Sequence, residues 1–133
     1  MRKILWITGL TLLILLSACS SENQNKKDAE ENEVPEILEV QLEVPEGIKA
    51  KETLKMSATV TQGDDSVADA DEVKYEIWEN GKKDESIMVE ANNNKDGTYD
   101  AETVIDKEGE YIVQVHVTAR GMHNMPKKTV KVK

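Results

Sequence analysis

The 133-residue sequence has no phenylalanine, one cysteine, three prolines and two histidines. A lone cysteine excludes an intramolecular disulfide, so the fold must be held by its core. Aromatic residues make up only 4% of the chain, which leaves Val, Ile and Leu to build most of that core, with three Tyr and two Trp. Basic charge is also short: 17 Lys and Arg face 26 Asp and Glu, a net −9. Phosphate repulsion would oppose nucleic-acid binding at this charge, and that function class is set aside. Also missing are a glycine-rich phosphate loop, paired cysteines, an HExxH run and any spacing that specifies a Ser-His-Asp site. No enzyme is indicated.

The N-terminus carries an export signal. Arg2 and Lys3 precede an uncharged apolar run from Ile4 to Leu16, followed by Leu16-Ser17-Ala18-Cys19. That layout is a secretory signal, too short and wrongly flanked for a membrane span. Its ending resembles a bacterial lipobox, with residues 1–18 removed and Cys19 diacylated as the mature N-terminus; the plainer alternative is a signal peptide with a chance cysteine. The lipobox places the protein on the extracytoplasmic face of the cell membrane, held by the Cys19 lipid. Losing Arg2 and Lys3 leaves 15 basic and 26 acidic side chains, or −11. Residues 19–36 are then a polar, acidic tether without apolar periodicity, with a flexible-coil reach of about 20–25 Å.

Residues 37–133 suit one domain. Period-two alternation between turn signals predicts strands at 37–44, 54–61, 73–79, 84–90, 98–105, 110–118 and 127–132. Asn80-Gly81 is the strongest hairpin dipeptide. Asn92 to Gly97 reads as a long polar turn whose oxygens lack the spacing of a calcium loop. About seven short strands point to an all-β, immunoglobulin-like β-sandwich. Tyr111, two residues after Gly109, stands where the tyrosine corner of such sandwiches lies. Alternation turns Tyr111, Val113, Val115 and Val117 inward and His116 outward. It likewise turns Val73, Tyr75 and Ile77 inward, leaving Trp78 outward on the same outer face as His116, as a site neighbour or as cover for a loop.

No acid follows Glu110, whereas Arg120, Lys127, Lys128, Lys131 and Lys133 do. Lysines protecting the edge of a last strand explain this more simply than an anionic partner. The stretch from His116 to Pro126, HVTARGMHNMP, holds both histidines and two of the five methionines. It reads as a strand end and the loop to the last strand. Imidazole and thioether together suit copper, above all Cu(I). His123 and Met125 would point the same way in an extended segment, and Met122 the opposite way unless Gly121 bends the chain. On spacing alone, the methionines as apolar cover and the histidines as surface residues is the stronger reading.

The pattern HxTARxMHxMP resembles the C-terminal signature of the YtkA-like (FixH-like) family of bacterial exported lipoproteins. The similarity extends through Tyr75-Glu76-Ile77-Trp78, Asp96-Gly97-Thr98-Tyr99 and Gly109-Glu110-Tyr111. It implies an immunoglobulin-like sandwich outside the cytoplasmic membrane and a link to copper handling and respiratory oxidase assembly. By the motif, His116, Met122, His123 and Met125 are the metal-site positions. A respiratory oxidase or a copper-handling membrane protein is the implied partner. A non-catalytic interaction module presenting the Trp78–His116 face to another envelope protein is the alternative.

Overall fold

The computed structural model describes residues 34–133. The signal peptide, Cys19 and nearly all of the tether lie outside the described residues. Among the described residues eleven strands follow one another: β1 Leu38–Glu43, β2 Gly47–Ile48, β3 Thr53–Gln62, β4 Asp65–Ser66, β5 Glu72–Glu79, β6 Ile87–Glu90, β7 Asn92–Asn93, β8 Thr98–Val104, β9 Gly109–Ala119, β10 Met122–Asn124 and β11 Lys127–Val132. The seven expected strands are present as β1, β3, β5, β6, β8, β9 and β11, and the other four are short additions.

Two sheets form a sandwich. One runs β1-β3-β8-β7, with β4 folded back on β3. The other runs β2-β11-β9-β5-β6, with β10 on β9. The chain changes sheet after β1 at Pro45-Glu46, and β2 then joins β11 in parallel. This is the immunoglobulin-like order, with the third, sixth and seventh expected strands sharing a sheet.

Alternation places the core. Leu54, Met56, Ala58 and Val60 of β3 are buried, as are Val73, Tyr75 and Ile77 of β5 and Tyr111, Val113, Val115, Val117 and Ala119 of β9. Intervening positions carry polar side chains outward. No polar or charged residue is buried among the described residues. Among the described residues, the buried hydrophobic side chains fall between Leu38 and Val132 and, Trp78 apart, pack as one cluster, so the sandwich contains its own core. The expected tyrosine corner is present: the Tyr111 hydroxyl donates to the Lys107 carbonyl at 3.2 Å.

Three local expectations change. Asn80-Gly81 does not make a two-residue hairpin. The Lys82 N–H bonds the Glu79 carbonyl at 2.9 Å, and Gly81 alone has positive φ, +88°, which is a type II turn. That turn feeds a single 3-10 turn, Lys83–Glu85, so the expected strand at 84–90 begins only at Ile87. The tight hairpin lies instead at Arg120-Gly121, whose φ values of 52° and 75° make a type I′ turn between the paired Ala119 and Met122. The segment from His116 to Pro126 is therefore mostly strand rather than loop.

One antiparallel register runs through that hairpin. Asn124 is level with Val117 in β10, and Lys127 with Gln114 in β11. Continuing the count sets Met125 level with His116 and Pro126 level with Val115. Pro126 has no N–H to give, which interrupts the ladder, but its carbonyl still accepts from the Val115 N–H at 3.1 Å. Among the described residues, the side of β11 away from β9 meets only β2, at Lys131 and Val132. Exposed Lys127 and Lys128 occupy the uncovered part, as edge protection requires.

Candidate metal-binding face

The outer face of the β11-β9-β5-β6 sheet carries the candidate donors. Residues level with one another across antiparallel strands point to the same side. His116 points outward beside Lys74 of β5 and Met125. One same-face step further, Thr118 stands between Glu72 of β5 and His123 of β10. The two imidazole rings approach to 6.2 Å between centroids, tilted by 41°. The Met125 side chain is exposed. His116, His123 and Met125 therefore share one face.

Met122 does not join them. It is level with the buried Ala119 and packs against the hydrophobic core. The type I′ turn spends exactly two residues, Arg120 and Gly121, and leaves the strand alternation intact, so Met122 faces inward. The Gly121 bend reverses the chain without turning Met122 to the histidine side.

Trp78 is not beside the histidines either. It is level with Ile112, four residues along β9 from His116, or about 13 Å at the rise of a strand. It is outward by register, yet only 7% exposed. The Lys83 ammonium lies over its ring at 4.8 Å. Of the two roles open to an outward Trp, the structure favours cover for a turn.

Three further side chains, Glu76, Ser86 and Thr118, make the face specific. The His116 Nε2 is 2.9 Å from a Glu76 carboxylate oxygen, and the Ser86 hydroxyl donates to the other oxygen at 2.8 Å. Glu76 is largely shielded, with its side chain 14% exposed. Burial pushes its pKa up, but the hydrogen bonds from Ser86 and His116 and the nearby Lys83 charge outweigh that and hold it below the ordinary glutamate value. The His123 Nδ1 is 2.8 Å from the Thr118 hydroxyl. Lys74, the cation nearest in register, is drawn to Glu72 at 3.0 Å. The outward facing of Glu76 was legible in the alternation, but the β5–β9 register that puts it diagonal to His116 was not.

Among the described residues, each imidazole thus has one nitrogen engaged and one left over. An ion held at ~2.0–2.1 Å from each of two imidazoles leaves the ring centres about 5–6.5 Å apart, a range that includes the observed separation. Among the described residues, no three His, Cys, Asp or Glu side chains group to hold a metal. The third soft donor on this face is a thioether, and two imidazoles with a thioether are a donor set that suits Cu(I).

Two other polar clusters lie among the described residues. Oxygens of Asn93 and Asp96 accept the backbone N–H groups of Lys95 and Thr98, so the 92–97 turn uses its oxygens on itself. An open groove of about 900 Å³ includes Glu43, Glu90, Asp100 and Glu102. There Asp100 is occupied by Ser57 and Asn94.

The sequence model of the YtkA-like family matches residues 32–116. The chain belongs to the YtkA-like family. The match takes in the strands from β1 to most of β9 and ends at His116. Met122, His123 and Met125 of this YtkA-like protein lie beyond it, so the hairpin donors rest on geometry and on their own sequence pattern.

No curated protein matches the chain. Among solved structures, the YtkA-like domain is similar to a superoxide reductase (neelaredoxin) from Ignicoccus hospitalis, with a TM-score of 0.52 at 15% identity over 75% of this chain and 83% of that one. The PmoD soluble domain from a Methylocystis species gives 0.51 at 15% identity, over 74% and 92%. An endo-β-1,4-mannanase from Thermotoga petrophila gives 0.50 at 14% identity, over 71% and 20%. At these identities the likeness is one of fold, and one sandwich serving such different proteins leaves function to be argued from the site.

Proposed function

We propose that this YtkA-like domain is a copper-binding module that takes Cu(I) as cargo through the imidazoles of His116 and His123 and the thioether of Met125. The observation that carries the reading is the shared face: two rings 6.2 Å apart, with an exposed methionine level with His116. The sequence resemblance points to the same chemistry. Open surface donors suit loading and release, and the reading is of a binding module.

In this proposal the Cys19 lipid holds the domain at the extracytoplasmic face of the cell membrane. The acceptor in this proposal is membrane-embedded, and an oxidase under assembly is the candidate. Cys19→Ala would release the protein or leave an uncleaved precursor, and membrane fractionation reads this directly. Normal processing and retention of that variant would remove the anchor from the proposal.

A second reading, an interaction module at the cell envelope, draws support from Ile87 and Met88, which are exposed on the edge strand β6. Cu(I) titration with thermal melting separates the two. A ligand that binds only the folded state raises its stability. A carrier must show copper-dependent stabilisation, and an interaction module need not.

A further inference from the structure

We infer that Glu76 is the positioning residue of the copper site, holding the His116 ring in the tautomer protonated on Nε2 so that Nδ1 is the free donor. This rests on the reading of His116 as a ligand. Glu76 reaches the ring diagonally, since its direct cross-strand neighbour is Gln114 and that of His116 is Lys74. An ionised carboxylate can only accept hydrogen bonds, so the 2.9 Å contact to Nε2 requires the proton to be on that nitrogen. In a neutral imidazole, Nδ1 is then unprotonated. Ser86 holds the second carboxylate oxygen at 2.8 Å and stops the carboxylate from rotating away. Carboxylate–histidine pairs of this kind orient metal-binding imidazoles and raise their basicity.

His123 lacks such a device. Its partner Thr118 is a hydroxyl at 2.8 Å, which can donate or accept and therefore accommodates either tautomer. The two donors are thus unequal: His116 is set in advance and His123 adjusts.

The arrangement also gives Trp78 a role. Ser86 directly follows the Lys83–Glu85 turn, and the Lys83 ammonium lies over the Trp78 ring. Trp78 helps seat the turn, the turn presents Ser86, Ser86 fixes Glu76, and Glu76 fixes His116. Residues distant from the metal face thereby act on it.

The test is long-range ¹H–¹⁵N NMR of the metal-free domain from Val34 onward, paired with Cu(I) competition titrations. Wild type should show His116 as one tautomer, with hydrogen on Nε2, and His123 as a mixture. Glu76→Ala should mix the His116 tautomers and weaken Cu(I) binding about ten- to a hundredfold. Glu76→Gln, whose carbonyl oxygen still accepts but carries no charge, should fall between the two. Ser86→Ala should shift both readouts in the same direction but less, and serves if Glu76→Ala fails to fold. If wild type binds Cu(I) while folded Glu76 and Ser86 variants keep the tautomer and affinity unchanged, the positioning role is overturned. If wild type shows the single tautomer but binds no Cu(I), the copper reading fails instead, and the inference with it.

Discussion

The Tyr75 hydroxyl of one sheet donates to the Tyr99 carbonyl of the other at 2.6 Å. The Tyr99 hydroxyl in turn accepts from the Ala70 N–H and donates to the Val67 carbonyl. In a core without phenylalanine, these tyrosines supply bulk, one polar tie between the sheets and two to the connection between β4 and β5. Tyr75→Phe keeps the bulk and removes one tie, at a cost of about 0.5–1.5 kcal/mol, since the Tyr99 carbonyl keeps its place in the ladder opposite Ala58.

That same pair predicts an alkaline limit. Burial, and secondarily the Asp100 charge, push the Tyr75 phenol far above its ordinary value. A raised folded-state pKa contributes stability that is fully present below the unfolded value, near pH 10, and lost as pH rises beyond it. Thermal melts between pH 9 and about 11 should fall for wild type and flatten in Tyr75→Phe. Parallel falls in both would assign the limit to other groups.

Acid acts through a different residue. The Glu76 pKa is depressed, so its contribution is present above the ordinary glutamate range and is lost as pH falls through the lowered folded value. Glu76→Gln should therefore melt with a shallower acid limb than wild type below about pH 4.5. An unchanged acid limb would show that the Ser86 and His116 bonds contribute nothing to folding.

Strand facing can be checked on β9. Val115 is fully buried, 0% exposed, so Val115→Asp places an uncompensated charge in the core and should cost several kcal/mol. Gln114→Ala, on the outer row, loses only the bond to the Met125 carbonyl, about 1 kcal/mol. Comparable melting shifts would contradict the assigned facing.

Much of this architecture was legible as alternation. The valine row of β9 followed from period-two patterning, the Tyr111 corner from its place two residues after Gly109, and the shared sheet of the third, sixth and seventh expected strands from the immunoglobulin-like order. The Arg120-Gly121 hairpin was hidden because arginine is not a usual left-handed residue. Here its guanidinium is held by Asp65 at 2.8 Å and Asp69 at 3.1 Å, tertiary contacts that sequence spacing does not show. Asn80-Gly81 misled for the opposite reason. It is a strong turn signal, but β6 pairs with β5 only from Ile87 opposite Ile77, so the connection had room for a type II turn and a 3-10 turn. The candidate site was half legible. His123 and Met125 shared a side by parity, whereas placing them against His116 needed the register across Pro126, and Glu76 needed the register of β5.

The hairpin tip supports a prediction of its own. Arg120→Asn retains a residue suited to the left-handed turn and loses the bridges to Asp65 and Asp69. Exposed ion pairs contribute little, so the melting temperature should barely move, while part of its salt dependence disappears. A large loss of stability would mean that the bridges, rather than the turn, hold the hairpin.

The central proposal is most directly tested by Cu(I) competition titration of the domain from Val34 onward, with wild type, Met125→Ala and Met122→Ala compared side by side. Both variants remove one thioether, but only Met125 lies on the histidine face. Wild type should bind one Cu(I), Met125→Ala should bind it markedly more weakly, and Met122→Ala should keep wild-type affinity while losing some stability from the core. No binding by wild type, or equal losses in the two variants, would contradict a copper site built from His116, His123 and Met125.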